Sequence, residues 1–143
     1  MAKPRPHRLA QYAALPWRRD GDGRIEVMLI TSRETRRWVI PKGWPMTNRT
    51  PAQAAAQEAL EEAGVTGEVW TTPVGAYDYD KRLKSGQLQP VEVEVFPLAV
   101  QEELDAWPEK SQRQRRWFAA AEAAALVAEP RLAELIREFG GRS

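Results

Sequence analysis

Apolar residues along the chain fall into two rhythms, and these separate strands from helices. Leu9–Trp17 and Ile25–Ile30 are apolar runs on either side of Arg19–Arg24, a polar stretch with two glycines, and they read as two strands joined by a turn. Trp38–Ile40 reads as a third, short strand stopped by Pro41. Further on, Glu68–Tyr79 and Pro90–Val100 are strand-like, and Val91-Glu92-Val93-Glu94-Val95 alternates as a sheet with one wet face would. Between them, Lys81–Gln89 holds Ser85-Gly86, a hairpin tip. Trp117-Phe118 is a brief apolar contact before a C-terminal helix, which is interrupted at Pro130, resumes through Phe139 and ends at Gly140-Gly141.

The mid-chain helix carries the clearest punctuation. Thr50 is the expected N-cap, Pro51 occupies the first helical position and Gln53 completes a T-x-x-Q capping box. The helix is expected to run through Ala63 and to stop at a left-handed Gly64. Projected at about 100° per residue, Ala52, Ala55, Ala56, Ala59 and Ala63 share one side, small enough to let the helix lie close to a sheet. Strands around one central helix, with a helical end, predict an α/β (α+β) layered domain over residues 9–143, after a flexible basic tail at 1–8.

Composition narrows the chemistry. The chain has no cysteine and a single histidine, His7, so thiolate zinc sites, disulfides and a Ser-His-Asp triad are set aside, and carboxylates are the plentiful catalytic groups. No segment is apolar enough to span a membrane, and Met1–Arg8 lacks the apolar core of a secretory signal, so a cytoplasmic protein with no membrane partner is expected. The net charge of +1 hides an uneven distribution: residues 1–50 carry eleven Lys/Arg against four Asp/Glu, and residues 51–110 four against twelve. Basic segments around an acidic middle suit a polyanion bound beside metal-holding carboxylates, and equally suit ordinary surface charge.

Glu58, Glu61 and Glu62 lie opposite the alanine side at i, i+3 and i+4. Like charges so spaced cost about 0.2–0.5 kcal/mol per pair, and acids near a helix C-terminus oppose its dipole. Three unfavourable placements within one turn point to a cationic partner, and a hard divalent ion with oxygen ligands is the natural one. A solvated acidic face remains the alternative reading of the spacing.

The segment Gly43–Val65 (GWPMTNRTPAQAAAQEALEEAGV) resembles the Nudix box, G-x5-E-x7-R-E-U-x-E-E-x-G-U with U apolar. Gly43, Glu58, Ala59, Glu61, Glu62, Gly64 and Val65 match at the right offsets; Arg49 replaces the early Glu and Gln57 replaces the Arg. Those two box residues commonly interact, so the usual ion pair is missing, and Arg49 is expected to reach toward the glutamates instead. Outside the box, the chain is similar to the diphosphoinositol-polyphosphate and diadenosine-polyphosphate phosphohydrolase branch. Ser32-Arg33, Arg37-Trp38, Trp107-Pro108-Glu109, Arg113-x-Arg115-x-Trp117-Phe118 and Glu122-Ala123 carry that likeness. Gln11 and Tyr12 stand where the branch has basic residues, which weighs against an inositol substrate.

The resemblance implies a Nudix-like α/β/α sandwich with a mixed central sheet, and Mg²⁺-dependent hydrolysis (Mn²⁺ as a substitute) of a phosphoanhydride bond in a small polyphosphate. By the match, Glu58 and Glu62 are metal ligands with the Gly43 carbonyl, and Glu61 is a further ligand or the base that orients water. Glu102 and Glu109 are other candidate bases, though first of all surface acids. Arg33, Arg37, Lys42, Lys81, Arg82, Arg113 and Arg115 are candidate phosphate binders. Trp44 either stacks on a base or plugs a gap; Trp17, Trp38, Trp70 and Trp117 read as core or half-core. Two other functions compete: a domain that binds a phosphorylated ligand without turnover, and removal of a 5′ pyrophosphate from RNA, to which the basic start lends slight support.

Overall fold

The structure is a computed structural model that describes residues 8–142. The expected basic tail, His7 included, lies outside the described residues apart from Arg8, which pairs with Asp78 at 3.1 Å. Eight strands form one mixed sheet: β1 (Leu9–Arg19), β2 (Ile25–Thr31), β3 (Trp38–Val39), β4 (Lys42–Gly43), β5 (Val65–Val69), β6 (Gly75–Arg82), β7 (Leu88–Glu103) and β8 (Arg115–Ala119). Helix α1 (Pro51–Glu58) follows β4, and α2 (Ala120–Leu126) and α3 (Pro130–Gly140) close the chain.

β1 and β7 run parallel at the centre of the order β3-β2-β1-β7-β5, with β4 on β1, β6 on β7 and β8 on β2; the other pairs are antiparallel. Period-two alternation gives the sheet two apolar faces. Ala13, Leu15, Val27, Leu29, Val93 and Val95 meet Leu132, Leu135, Ile136 and Phe139 of α3 on one side. Ala14, Met28, Ile30, Phe96 and Leu98 meet Ala52, Ala55, Ala59 and Ala63 on the other. This is the expected sandwich, and the alanines let α1 sit close to the sheet.

Four elements differ from expectation. Glu68–Tyr79 is two strands separated by a bend, because β5 and β6 pair with successive stretches of one long β7. Trp117-Phe118 belongs to a full strand, β8, on the outer edge of β2. β3 stops before Pro41 as expected, but a further strand follows: the Pro41 carbonyl accepts from the Ala14 N–H at 3.0 Å, and β4 pairs with β1 at Lys42 and Gly43. The fourth is α1. Its capping box is made as predicted, with the Gln53 N–H donating to Thr50 Oγ1 at 3.1 Å and the Thr50 N–H to Gln53 Oε1 at 2.9 Å. After Glu58, however, the helix widens into a π-turn over Ala59–Ala63 before Gly64 stops it at φ 66°.

Candidate active site

The π-turn decides where the three glutamates go. Hydrogen bonds to the residue five back wind the chain more slowly than an α-helix does. Glu62 is thereby turned inward beside Glu58, while Glu61 falls further round the helix. Glu62 is 8% exposed, whereas Glu58 and Glu61 are partly exposed. Among the described residues no three acidic, histidine or cysteine side chains converge closely enough to hold a metal ion by themselves. The expected trio is therefore a converged pair, Glu58 and Glu62, with Glu61 beside it.

The pair is packed from β4. The Lys42 backbone N–H donates to Glu62 Oε1 at 3.4 Å. A side chain on Gly43 would overlap the Glu58 carboxyl group, so the glycine lets that carboxylate lie against β4 and any larger residue would displace it. Burial, foremost, pushes the Glu62 carboxyl from its ordinary 4.5 to about 9; the proton it donates to Glu58 adds to this, and Arg113 opposes it. Burial raises Glu58 as well, while its hydrogen bond with Glu62 lowers it. One proton held between two carboxylates is what a confined pair does when no cation neutralises it.

Arg113, on the strand-like approach to β8, supplies the nearest protein cation. Its Nη2 lies 3.6 Å from Glu62, Nε donates to Glu109 Oε1 at 2.9 Å and Nη1 donates to the Thr31 carbonyl at 3.1 Å. Glu109 is tied in through its backbone N–H, which donates to the Glu61 carbonyl at 3.0 Å. Arg33 stands at the rim of this group, 3.3 Å from Gln112 Oε1 and 4.0 Å from Glu109. Glu102 is exposed on β7 opposite Thr66.

A second set of cations lies across β4. Burial lowers the Lys42 pKa, Glu62 and Glu129 pull it back up, and Arg37 and Lys81 act on it as neighbouring positive charges. The Lys42 ammonium sits 5.1 Å from the centre of the Tyr79 ring, and Tyr79 donates its hydroxyl to Gln11 Oε1 at 2.7 Å. Arg37 pairs with Glu129 at 3.2 Å, and Lys81 faces the half-exposed Trp44 at 6.0 Å. Arg82 is at the hairpin, where it donates to the Gly86 carbonyl at 3.4 Å. Arg37, Lys42 and Lys81 thus share one region, Arg33 and Arg113 another, and Arg82 belongs to the turn.

Two roles differ from expectation. Arg115 is occupied as a cap. It donates to the carbonyls of Ala63, Gly64 and Leu104 at 3.0, 3.1 and 2.8 Å, with its guanidinium 4.0 Å above Trp107. It places positive charge where the helix end needs it, and binds the glutamate turn to the Leu104–Glu109 loop. Arg49 does not reach the glutamates: among the described residues the ion pair to Glu62 comes from Arg113, and Arg49 with Gln57 lines a groove on the other flank of α1. Neither fact shows in spacing, because both depend on how far the helix end is rotated. Glu129, which compensates Arg37 and Lys42, was not singled out from the sequence; its only signal is an acid immediately before Pro130.

The NUDIX domain family model matches residues 9–139. Nudix hydrolase 12, mitochondrial, of Arabidopsis thaliana is 34% identical over 121 residues, covering 81% of this chain and 59% of the relative. Diphosphoinositol polyphosphate phosphohydrolase 3-alpha of Mus musculus is 33% identical over 96 residues, covering 65% and 54%. The chain thus spans somewhat over half the length of these relatives. A crystal structure of C. elegans Ap4A hydrolase superposes with a TM-score of 0.64 at 20% identity, covering 93% of this chain and 96% of that one. At that identity the likeness concerns the fold.

Proposed function

The chain belongs to the Nudix family, and from that premise we propose that it is a Mg²⁺-dependent pyrophosphohydrolase cleaving a phosphoanhydride bond in a nucleoside- or inositol-polyphosphate type substrate. The observation that carries this reading is the convergence of Glu58 and the buried Glu62 against β4, where Glu58 packs on Gly43 and Glu62 meets the Lys42 N–H. Carboxylates so confined exchange a proton for a hard cation readily, and Mg²⁺ commonly takes only one or two carboxylates, filling its remaining positions with water and substrate phosphate. The donor set, two carboxylates and the Gly43 carbonyl, fits such an ion; Mn²⁺ suits the same oxygens. Bound there, the ion would neutralise charge developing on the phosphate and acidify an attacking water.

The chain's own groups have distinct tasks. Arg37, Lys42 and Lys81 present cations to a phosphate chain across β4 from the glutamates. Arg113 holds Glu62 and Glu109 in place, and Arg33 extends the positive rim outward. Glu61 and Glu109, joined through their backbones at 3.0 Å, are the two candidates to orient water. The sequence has no cysteine, and among the described residues no helix is long and apolar enough to cross a membrane.

A second reading, a domain that binds a phosphorylated ligand with little turnover, is favoured by the convergence of two acidic side chains rather than three among the described residues. Phosphate release with Mg²⁺ from a panel of nucleoside, dinucleoside and inositol polyphosphates and a 5′-triphosphorylated RNA separates the readings. Hydrolysis lost on Glu62→Gln supports the enzyme. A Glu62→Gln protein working at the parental rate would refute the site.

A further inference from the structure

A groove lies away from the glutamate pair, on the other flank of α1. It encloses about 550 Å³ and runs between the Thr47–Arg49 loop, α1, and strands β5 and β7. That is ample for a small organic ligand. Its floor is apolar, from Ala56, Leu60, Val69 and Leu98, and its walls carry the amides of Gln53 and Gln57. A register shift between Thr66 and Gly67 in β5 borders it, and both residues line it.

Arg49 is the one charged residue lining this groove. No ion pair of its side chain is found among the described residues, and its backbone is fixed by an N–H bond to the Met46 carbonyl at 3.2 Å. Other arginines beside the candidate active site, Arg33, Arg37 and Arg113, each have an acidic partner. An uncompensated guanidinium over an apolar floor, flanked by two side-chain amides, is the complement of a molecule with one anionic end and an apolar body.

We propose that this groove is a second ligand site, taking a small amphipathic anion whose phosphate monoester or carboxylate pairs with Arg49. Its apolar part covers Leu60, Val69 and Leu98, and Gln53 and Gln57 hydrogen-bond polar atoms between the two ends. Such a ligand bridges the loop after Gly43 to the helix that carries Glu58, the two elements that meet at the glutamate pair. The site is separate from the proposed catalytic one, since neither Gly43 nor Glu58, Glu61 or Glu62 lines the groove.

The test is an amide chemical-shift titration of the full chain with phenyl phosphate in the presence of a chelator, with benzoate, inorganic phosphate and phenol as separate arms. Saturable shifts at Gln53, Gln57, Leu60 and Thr66 are expected with phenyl phosphate or benzoate. The anion they prefer identifies the head group. Affinity is expected to fall about tenfold in Arg49→Ala, an exposed position whose loss leaves the fold intact, and to persist in Glu62→Gln. Persistence in Glu62→Gln separates this site from the proposed catalytic one. The proposal is overturned if groove resonances do not move, if Arg49→Ala binds as tightly as the parent, or if inorganic phosphate binds as well as phenyl phosphate.

Discussion

Replacing Glu62 by glutamine is expected to make the metal-free protein more stable at neutral pH while removing its proposed metal site. The Glu62 carboxyl, 8% exposed, has its pKa raised from 4.5 to about 9, chiefly by burial. A raised carboxyl pKa means that the folded chain holds a proton which the unfolded chain releases. The native state then binds more protons, so stability is greatest below 4.5 and falls as pH rises toward 9. Each pH unit in that window costs about 1.4 kcal/mol for a full proton. By pH 7 the loss is about 3 kcal/mol, whichever of the two carboxylates carries the proton, because it is the proton bound by the pair that counts. Glutamine copies the neutral acid: its oxygen can accept from the Lys42 N–H, and its amide can donate to Glu58. Urea unfolding in chelator at pH 5 and pH 7 measures the effect. The two proteins should nearly coincide at pH 5, and Glu62→Gln should lead by about 3 kcal/mol at pH 7. Added Mg²⁺ should raise the melting temperature of the parent alone. Equal pH dependence in the two proteins, or a glutamine variant less stable at pH 7, would refute the account of a protonated pair.

Other expectations follow from the packing around that pair. Gly43→Ala should displace the Glu58 carboxylate and weaken Mg²⁺ binding at least tenfold, read by calorimetry, while circular dichroism stays unchanged. Arg115→Ala removes three carbonyl contacts and the stack on Trp107, and should cost about 2–4 kcal/mol in urea unfolding, with Arg115→Lys recovering only a part. Gly64→Ala should be destabilising by more than about 1 kcal/mol, because φ is 66° and the new methyl meets the Trp107 ring. Thr50→Ala, which opens the capping box, should cost about 1 kcal/mol by the same assay and leave Mg²⁺ affinity nearly unchanged.

Most of the sandwich was legible because its signals are local. The Thr50–Gln53 box, the alanine face of α1, the Val91–Val95 alternation and the break at Pro130 each act within a few residues, and each appears in the structure where expected. What was missed depends on partners far along the chain. β4 is two residues long and exists because β1 offers it an edge; β8 exists because β2 does. The glutamates show the same division more sharply. Their spacing correctly marked one turn as acidic, but the helical projection assumed 3.6 residues per turn through Ala63. Local propensity gives no hint that the turn widens, because the widening is held from outside: Arg115 grips the Ala63 and Gly64 carbonyls, and the Glu109 N–H holds that of Glu61. The same widening rotates Glu62 inward to Lys42 and leaves Glu61 beside the pair. The loop and strand downstream of β7 therefore shape the site as much as the acidic residues themselves do, and substitutions at Arg115 should alter the geometry of Glu62 without touching it.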